Sequence, residues 1–395
     1  MARVVVCGYM IRHPVAGNLL AYFHYVLGLV RLGHSVIYLE ESGGWPNPCF
    51  DPIACDCGED PGPGMRLVRD LMQSQGLQDV PVWYVRRDTG ETWGAGRRVI
   101  EQAIQSADLL LNVGGVCWLP EFELCPRRAL IDMDPLFTQV GMFGGPMLDR
   151  HHVHFSYGVN IGKPFCEVPP AGMNWIATIP PVVLGPWDCP PAADDAPFTT
   201  VANWGAYGGT EYGGEHYGQK DEEFLRLMDV ARHSRQRLEL ALSGAPGEVL
   251  QNFRSAGWSI REAAEVSGSF DLYRRYVVES YGEFSAAKNA YVKSQSGWFS
   301  DRSVCYLAAG RPVVLQDTGF THWLPSGRGV LAFACAEEAV RHIAGVRGSY
   351  PAHCSAAREI ARGVFAHDVV LPRLLEAAMS AETRVAAAPA GGVAG

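Results

Sequence analysis

Ser294-Gln295-Ser296-Gly297-Trp298-Phe299-Ser300-Asp301-Arg302-Ser303 runs through Val304 to Gly310 into Arg311-Pro312-Val313-Val314-Leu315-Gln316-Asp317-Thr318-Gly319. The pattern is a Gly/Ser loop, a helix start, a short helix ended by Gly310, a buried strand and a turn. Ser300 is of the type that caps a helix, its side-chain oxygen accepting a backbone N–H of the first turn. The N–H groups that follow have no partner inside the helix and point out of its end, where an anion such as a diphosphate can be held. Gly297 lets the backbone approach a ligand closely.

Outward from this stretch, strand and helix signals alternate. In the second half, Phe198–Asn203, Leu238–Ser243, Trp258–Glu262, Glu283–Ala286 and Pro312–Gln316 are expected as strands. Helices are expected at Asp221–Arg232, Leu272–Val278, Asp301–Ala309, Ala336–Ile343 and Ala356–Val364. The Pro/Ala-rich residues 180–197 break the rhythm and are the linker candidate. Before them, Arg3–Cys7, Ser35–Leu39, Val82–Val85, Leu109–Val113 and Ala129–Asp132 read as strands, and Leu19–Leu32, Met65–Gln75 and Arg97–Ser106 as helices. Near-continuous apolar strands separated by helices imply parallel sheets covered on both faces. The expectation is an α/β chain of two Rossmann-like, doubly wound domains, residues 1–182 and 196–380, with ligand in the cleft at the carboxyl ends of the strands. The Ala- and Gly-rich last fifteen residues are expected to be disordered.

Gly297-Trp298-Phe299-Ser300 followed by Ala308-Ala309-Gly310-Arg311-Pro312-Val313-Val314 resembles the donor-binding region of the GT-B glycosyltransferases, of bacterial group-1 type. The resemblance implies a nucleotide-sugar donor as co-substrate, its diphosphate at the loop and helix start: Gly297, Ser300, Asp301 and Arg302. It also implies that Asp317, with Thr318 and Gly319, meets the sugar hydroxyls. Two departures matter: Gln295 stands where many members have His, and Cys305 where many have a ribose-binding Glu, so the nucleotide stays open. Lys288 is a candidate for stabilising the diphosphate leaving group. Trp204 and Gly209, after the first strand of the second half, are candidates for lining the donor or acceptor side. The Gly-, Tyr- and His-rich run Glu211 to Lys220 is expected to be a long flexible loop, able to close over substrate.

On the acceptor side, the loop after the first strand carries His13, Gly17 and Asn18. Inverting members similar to this chain often use a His there as the base that takes the acceptor hydroxyl's proton, and imidazole suits that task near neutral pH. Asp134 is the expected orienting carboxylate; a retaining mechanism would need no such base. Asp132-Met133-Asp134 has the form of a metal-bridging D-x-D, but it lies in the first half, away from the diphosphate loop, and no metal is expected. Cys55-x-Cys57 lacks zinc-site spacing, and His151, His152 and His154 read as packing or surface. Gly8 opens no dinucleotide fingerprint.

Composition bounds the rest. A chain of 395 residues with 48% hydrophobic content can bury two cores. Net charge is −9, which argues against nucleic acid as a partner. The eleven Cys and the absence of a leader ahead of Val4 suggest reduced thiols in the cytoplasm, and no stretch is long and apolar enough for a membrane span. The expected activity is transfer of a sugar to a hydroxyl on a small-molecule or glycan acceptor; the composition, typical of a GC-rich genome, is compatible with natural-product tailoring. The alternatives are an epimerase or phosphorylase on the same scaffold, or a non-catalytic nucleotide-sugar or glycan binder. The sugar, the acceptor, the stereochemical outcome and the oligomeric state are left open by the sequence.

Overall fold

The computed structural model describes residues 1–141 and 145–381. The tail expected to be disordered therefore lies, after Ala381, outside the described residues. Two large sheets are present. The first has eight strands in the spatial order Trp175–Ala177, Val153–Ser156, Arg128–Asp132, Leu109–Val113, Arg3–Cys7, Ser35–Glu41, Val82–Val85, Thr92–Trp93. All its pairings are parallel except the last. The second has six parallel strands in the order Ser259–Glu262, Leu238–Ser243, Phe198–Asn203, Gly282–Ser285, Val313–Gln316, Val330–Phe333.

The reason for the strands is visible in their residues. Every side chain of Leu109–Val113 is buried, which a central parallel strand requires because helices cover both of its faces. The first helix, Ala16–Arg31, is apolar nearly all round. It packs against the helices Phe270–Glu279, Asp301–Ala308 and His367–Ser380, so it has no solvent face to make polar. Among the described residues no helix is long and apolar enough to cross a membrane.

Four elements differ from expectation. The helix expected over Asp221–Arg232 is two short ones, Lys220–Arg226 and Val230–His233. The run Glu211 to Lys220 is not a loose loop but contains an antiparallel hairpin, Thr210–Tyr212 with Glu215–Tyr217. Its His216 lies between Glu211 at 2.8 Å and Glu222 at 2.9 Å. The Pro-rich connection is packed rather than free: Val182, Val183 and Trp187 are fully buried, and Val182 bridges Ala366. Its Val183 N–H donates to Nδ1 of His24 at 3.2 Å, and burial pushes that imidazole's pKa down to about 3. The last helix, grouped by sequence with the second half, crosses to the first: Leu371 and His367 fill the space beside Gly28, and Arg127 Nη1 donates to the carbonyls of Ala378 and Ala381.

Candidate functional site

The two sheets turn their carboxyl ends toward one another. Residues following Cys7 and Asp132 meet residues following Asn203, Ser285 and Gln316. Gly17, Asn18, Tyr22 and Met133 from the first side and Asn203, Lys220, Trp298, Ser300, Asp301 and Arg302 from the second line a cleft of about 240 Å³. A smaller pocket shares Trp298, Ser300 and Arg302 and continues along Ser285, Gln316 and Thr318.

On the second side the cap forms as expected: Ser300 Oγ accepts the Arg302 N–H at 3.2 Å and opens the helix Asp301–Ala308. Asp301 occupies the first turn, where an acid favours the helix dipole. Burial raises its pKa, with Arg302 and Lys220 opposing that rise. Arg302 is largely committed to the protein: its guanidinium bonds Glu283 at 2.6 Å, the Val201 carbonyl at 2.7 Å and Ser285 Oγ at 2.6 Å.

The cation that sequence reasoning passed over is Lys220. It lines the cleft beside this helix start and makes no hydrogen bond or ion pair to any described residue. Its pKa is pushed down to about 7, first by burial, then by Arg302 and Lys288 nearby. Asp301 and Glu283 partly oppose that fall, but neither bonds the ammonium, and an incoming anion would favour its charged form further. A signal was present: Lys220 is one of four lysines in the chain and it stands immediately before the helix expected over Asp221–Arg232.

Lys288 is placed differently. Its Nζ donates to Asp134 at 2.9 and 2.7 Å, and it lies over the rings of Phe137, Tyr207 and Tyr291. Tyr207 and Tyr291 also donate to Asp134. Asp134 is therefore tied to the second side of the cleft. No hydrogen bond or ion pair joins it to His13.

His13 is half-buried, its ring 6.0 Å from that of Tyr9 and 5.2 Å from that of Phe50. Burial lowers its pKa, which leaves the imidazole neutral at pH 7, the form a base needs. Asn18 Nδ2 donates to the carbonyls of Tyr9 and His13 at 2.6 and 2.8 Å, so the cleft wall itself holds the His13 backbone. Fully buried Glu40 grips the same loop through the N–H groups of Ile11 and Arg12, both at 2.7 Å.

Other expected donor residues are engaged elsewhere. Trp204 is buried between Phe224 and Phe253 in the second core. Gly209 packs on the hairpin, where an added Cβ would come within 2.5 Å of His216. Asp317 Oδ1 accepts the Gly319 N–H at 2.9 Å and its Oδ2 accepts from Thr321 Oγ1 at 2.7 Å, which shapes the turn after its strand. Thr318 Oγ1 donates to the Trp298 carbonyl at 2.5 Å. Gly297 and Gly319 both have positive φ, +77° and +85°. Their open faces admit Asn160 from the first side, whose Nδ2 donates to the carbonyls of Gln295 and Gly319 at 3.0 Å each.

Asp132 is equally occupied. It is fully buried and accepts from the Asp134 N–H, Thr138, Gln139 and Ser156 at 2.6–2.9 Å. Both carboxylates of the D-x-D-like triplet are thus taken by protein donors. His152 accepts the Arg128 N–H, and His154 Nε2 donates to the Leu148 carbonyl, consistent with packing roles.

Two parallel α/β sheets facing a cleft at their carboxyl ends define a class, and solved structures place the chain in it. By sequence, no family model and no curated protein matches. By structure, an alpha-glucosyltransferase in complex with UDP-glucose and DNA containing an abasic site covers 95% of this chain and 99% of its own, at TM-score 0.59 and 9% identity. AviGT4, a glycosyltransferase involved in avilamycin A biosynthesis, covers 96% and 97% at TM-score 0.54 and 14% identity. Anabaena Alr3699/HepE in complex with UDP and glucose covers 95% and 99% at TM-score 0.57 and 10% identity. The fold is that of the GT-B glycosyltransferases.

One expectation is corrected by these likenesses. The exclusion of nucleic acid drawn from net charge does not stand, because a protein of this fold is solved with DNA. Total charge does not describe the field inside a cleft: Lys220, Lys288 and Arg302 cluster within a chain of net charge −9.

Proposed function

We propose that this protein is a glycosyltransferase that moves a sugar from a nucleotide-sugar donor to an acceptor hydroxyl. The observation that carries the reading is Lys220, an unpartnered cation beside the Ser300-capped helix start in the cleft. That pairing of charge and free N–H groups suits a diphosphate, whose negative charge grows as the glycosidic bond breaks. In this reading Lys220 and the backbone N–H of Asp301 receive the diphosphate, with the Arg302 N–H held by the Ser300 cap. Lys288 acts through Asp134, holding the two sides of the cleft together around the donor.

His13 is proposed as the acceptor-side base. Its neutral state and its attachment to the cleft wall through Asn18 support that role. Metal independence is also proposed, on the ground that Asp132 and Asp134 are saturated by protein donors and would have to release them to bind a cation.

The test is thermal shift against UDP, GDP and dTDP and their glucose conjugates, followed by mass analysis of products with a panel of hydroxyl-bearing acceptors, a DNA oligonucleotide included. A donor that raises the Tm and yields a product heavier than the acceptor by one hexosyl unit supports the reading. A donor that binds and returns only an isomerised sugar nucleotide would assign epimerase chemistry instead.

A further inference from the structure

Glu223 lies one turn past Lys220 in the helix Lys220–Arg226 and is 2% exposed, yet it is not among the residues lining the cleft. Its two oxygens are taken by two different side-chain amides. Oε1 accepts from Asn289 Nδ2 at 2.7 Å and Oε2 from Gln316 Nε2 at 2.6 Å, with Arg226 Nη1 adding a bond to Oε1 at 2.8 Å. Each amide turns its own carbonyl to a backbone N–H. Asn289 Oδ1 accepts from Gly218 at 3.1 Å, and Gln316 Oε1 accepts from Ala287 at 3.2 Å. The Asn289 N–H closes the first arm on the Gln219 carbonyl at 3.1 Å.

The first arm ends beside Lys220, which lines the cleft, and the second beside Lys288, which holds Asp134. The first fixes Gly218 and Gln219, immediately before Lys220. The second fixes Ala287, immediately before Lys288, and Asn289 follows Lys288 directly. We propose that Glu223 is the positioning residue for both lysines, setting their backbones through the Asn289 and Gln316 amides. The inference rests on the reading of the cleft as a diphosphate site.

The chemistry explains why a carboxylate is needed. Ionised Glu223 is an acceptor at both oxygens, so both amides must present their NH₂ groups to it and their carbonyls to the backbone. A glutamine there would present one NH₂ of its own. One of the two amides would then either face it donor to donor, or flip and set its NH₂ against a backbone N–H. Either way one arm loses its bond, and the lysine that it sets is no longer held.

The experiment is Glu223→Gln, alone and combined with Lys220→Ala, titrated with UDP, GDP and inorganic pyrophosphate. Ligand-free melting and circular dichroism establish that each variant is folded. The expected result is a rise of about tenfold in Kd for the single variant, shrinking when Lys220 is already absent to the part that runs through the Lys288 arm, no more than about twofold, since the Lys220 contact is then already lost. Undiminished weakening in the Lys220→Ala background would show that Glu223 acts on the fold at large and overturns the proposal. Unchanged affinity in Glu223→Gln overturns it while leaving the diphosphate site standing. If the parent protein binds none of the three probes, the reading of the cleft falls and this inference with it. Should Glu223→Gln not fold, Asn289→Ala cuts the arm to Gly218 alone and must weaken binding on the same pattern; parent-like affinity there overturns the proposal equally.

Discussion

The loop over residues 8–18 and the loop over residues 294–301 face one another across the cleft and are held by different means. The first is gripped from behind by buried Glu40, which takes the backbone N–H groups of Ile11 and Arg12 and the Tyr38 hydroxyl. The Arg12 guanidinium is spent on the same carboxylate and on the Val116 carbonyl, and among the described residues the cleft lining on this side is Gly17, Asn18, Ala21, Tyr22 and Met133, all uncharged. The second runs into a capped helix whose N–H groups point outward, with Lys220 and Arg302 alongside. Under the proposed function, the first wall would carry the acceptor and the proton transfer at His13, and the second would hold the negative charge of the donor.

Removing the imidazole tests the division most severely. His13→Ala is expected to lower turnover about a hundredfold while the donor Kd barely changes. Turnover near that of the parent would make His13 a loop residue. Parallel loss of turnover and donor affinity would move it to the donor side and favour a retaining mechanism.

On the opposite wall, Lys220→Ala is expected to weaken nucleoside diphosphate binding by about thirtyfold, the scale of one lost charge-assisted contact. The pH dependence sharpens this. With its pKa lowered to about 7, Lys220 carries its charge below that pH in the free protein and loses it above, so affinity should fall as pH rises through 7–8. Lys220→Arg should flatten the profile. The sign for stability is opposite: the unfolded chain keeps the proton up to a higher pH, so ligand-free stability should rise with pH above about 7 on account of this group. Isothermal titration and thermal melting across pH check the two slopes.

Gly297→Val is expected to cost about 1–3 kcal/mol of stability as well as donor affinity. Its φ is +77°, and a Cβ would lie 2.7 Å from Cγ of Asn160. From the loop motif alone Val at this position would be a pure donor-site lesion; the structure makes it also a wedge between the two sides. A Tm unchanged from the parent would show that Asn160 yields freely.

The smallest effect is expected from exhaustive chelation, which should leave transfer activity at its parent level. Activity lost to chelation and restored by manganese or magnesium would show that Asp132 or Asp134 exchanges its protein donors for a cation.

The legible parts of this molecule are those governed by neighbours in sequence. Strand boundaries at Val82–Val85, Leu109–Val113, Phe198–Asn203 and Leu238–Ser243 follow from apolar runs between turn residues, and the structure keeps them. The Ser300 cap and the helix after it follow from a side chain bonding a backbone N–H two residues on. Lys288 and Asp134 were both legible as site residues, but their pairing across 154 positions was not. Trp204 is expected at the cleft because it follows a strand's carboxyl end, and it is instead buried against Phe224 and Phe253 in the second core.

The sequence by itself determined the alternation of strand and helix, the break near 180–197 and the Ser300-capped helix start, since each rests on backbone geometry and side chains within a few residues. Tertiary structure alone decided which charges remain available. Arg302 is consumed by Glu283, Lys288 by Asp134 and Asp132 by its ring of donors, whereas Lys220 is left free. Those outcomes depend on groups brought together from distant parts of the chain, where burial strengthens each pairing and penalises each unpaired charge.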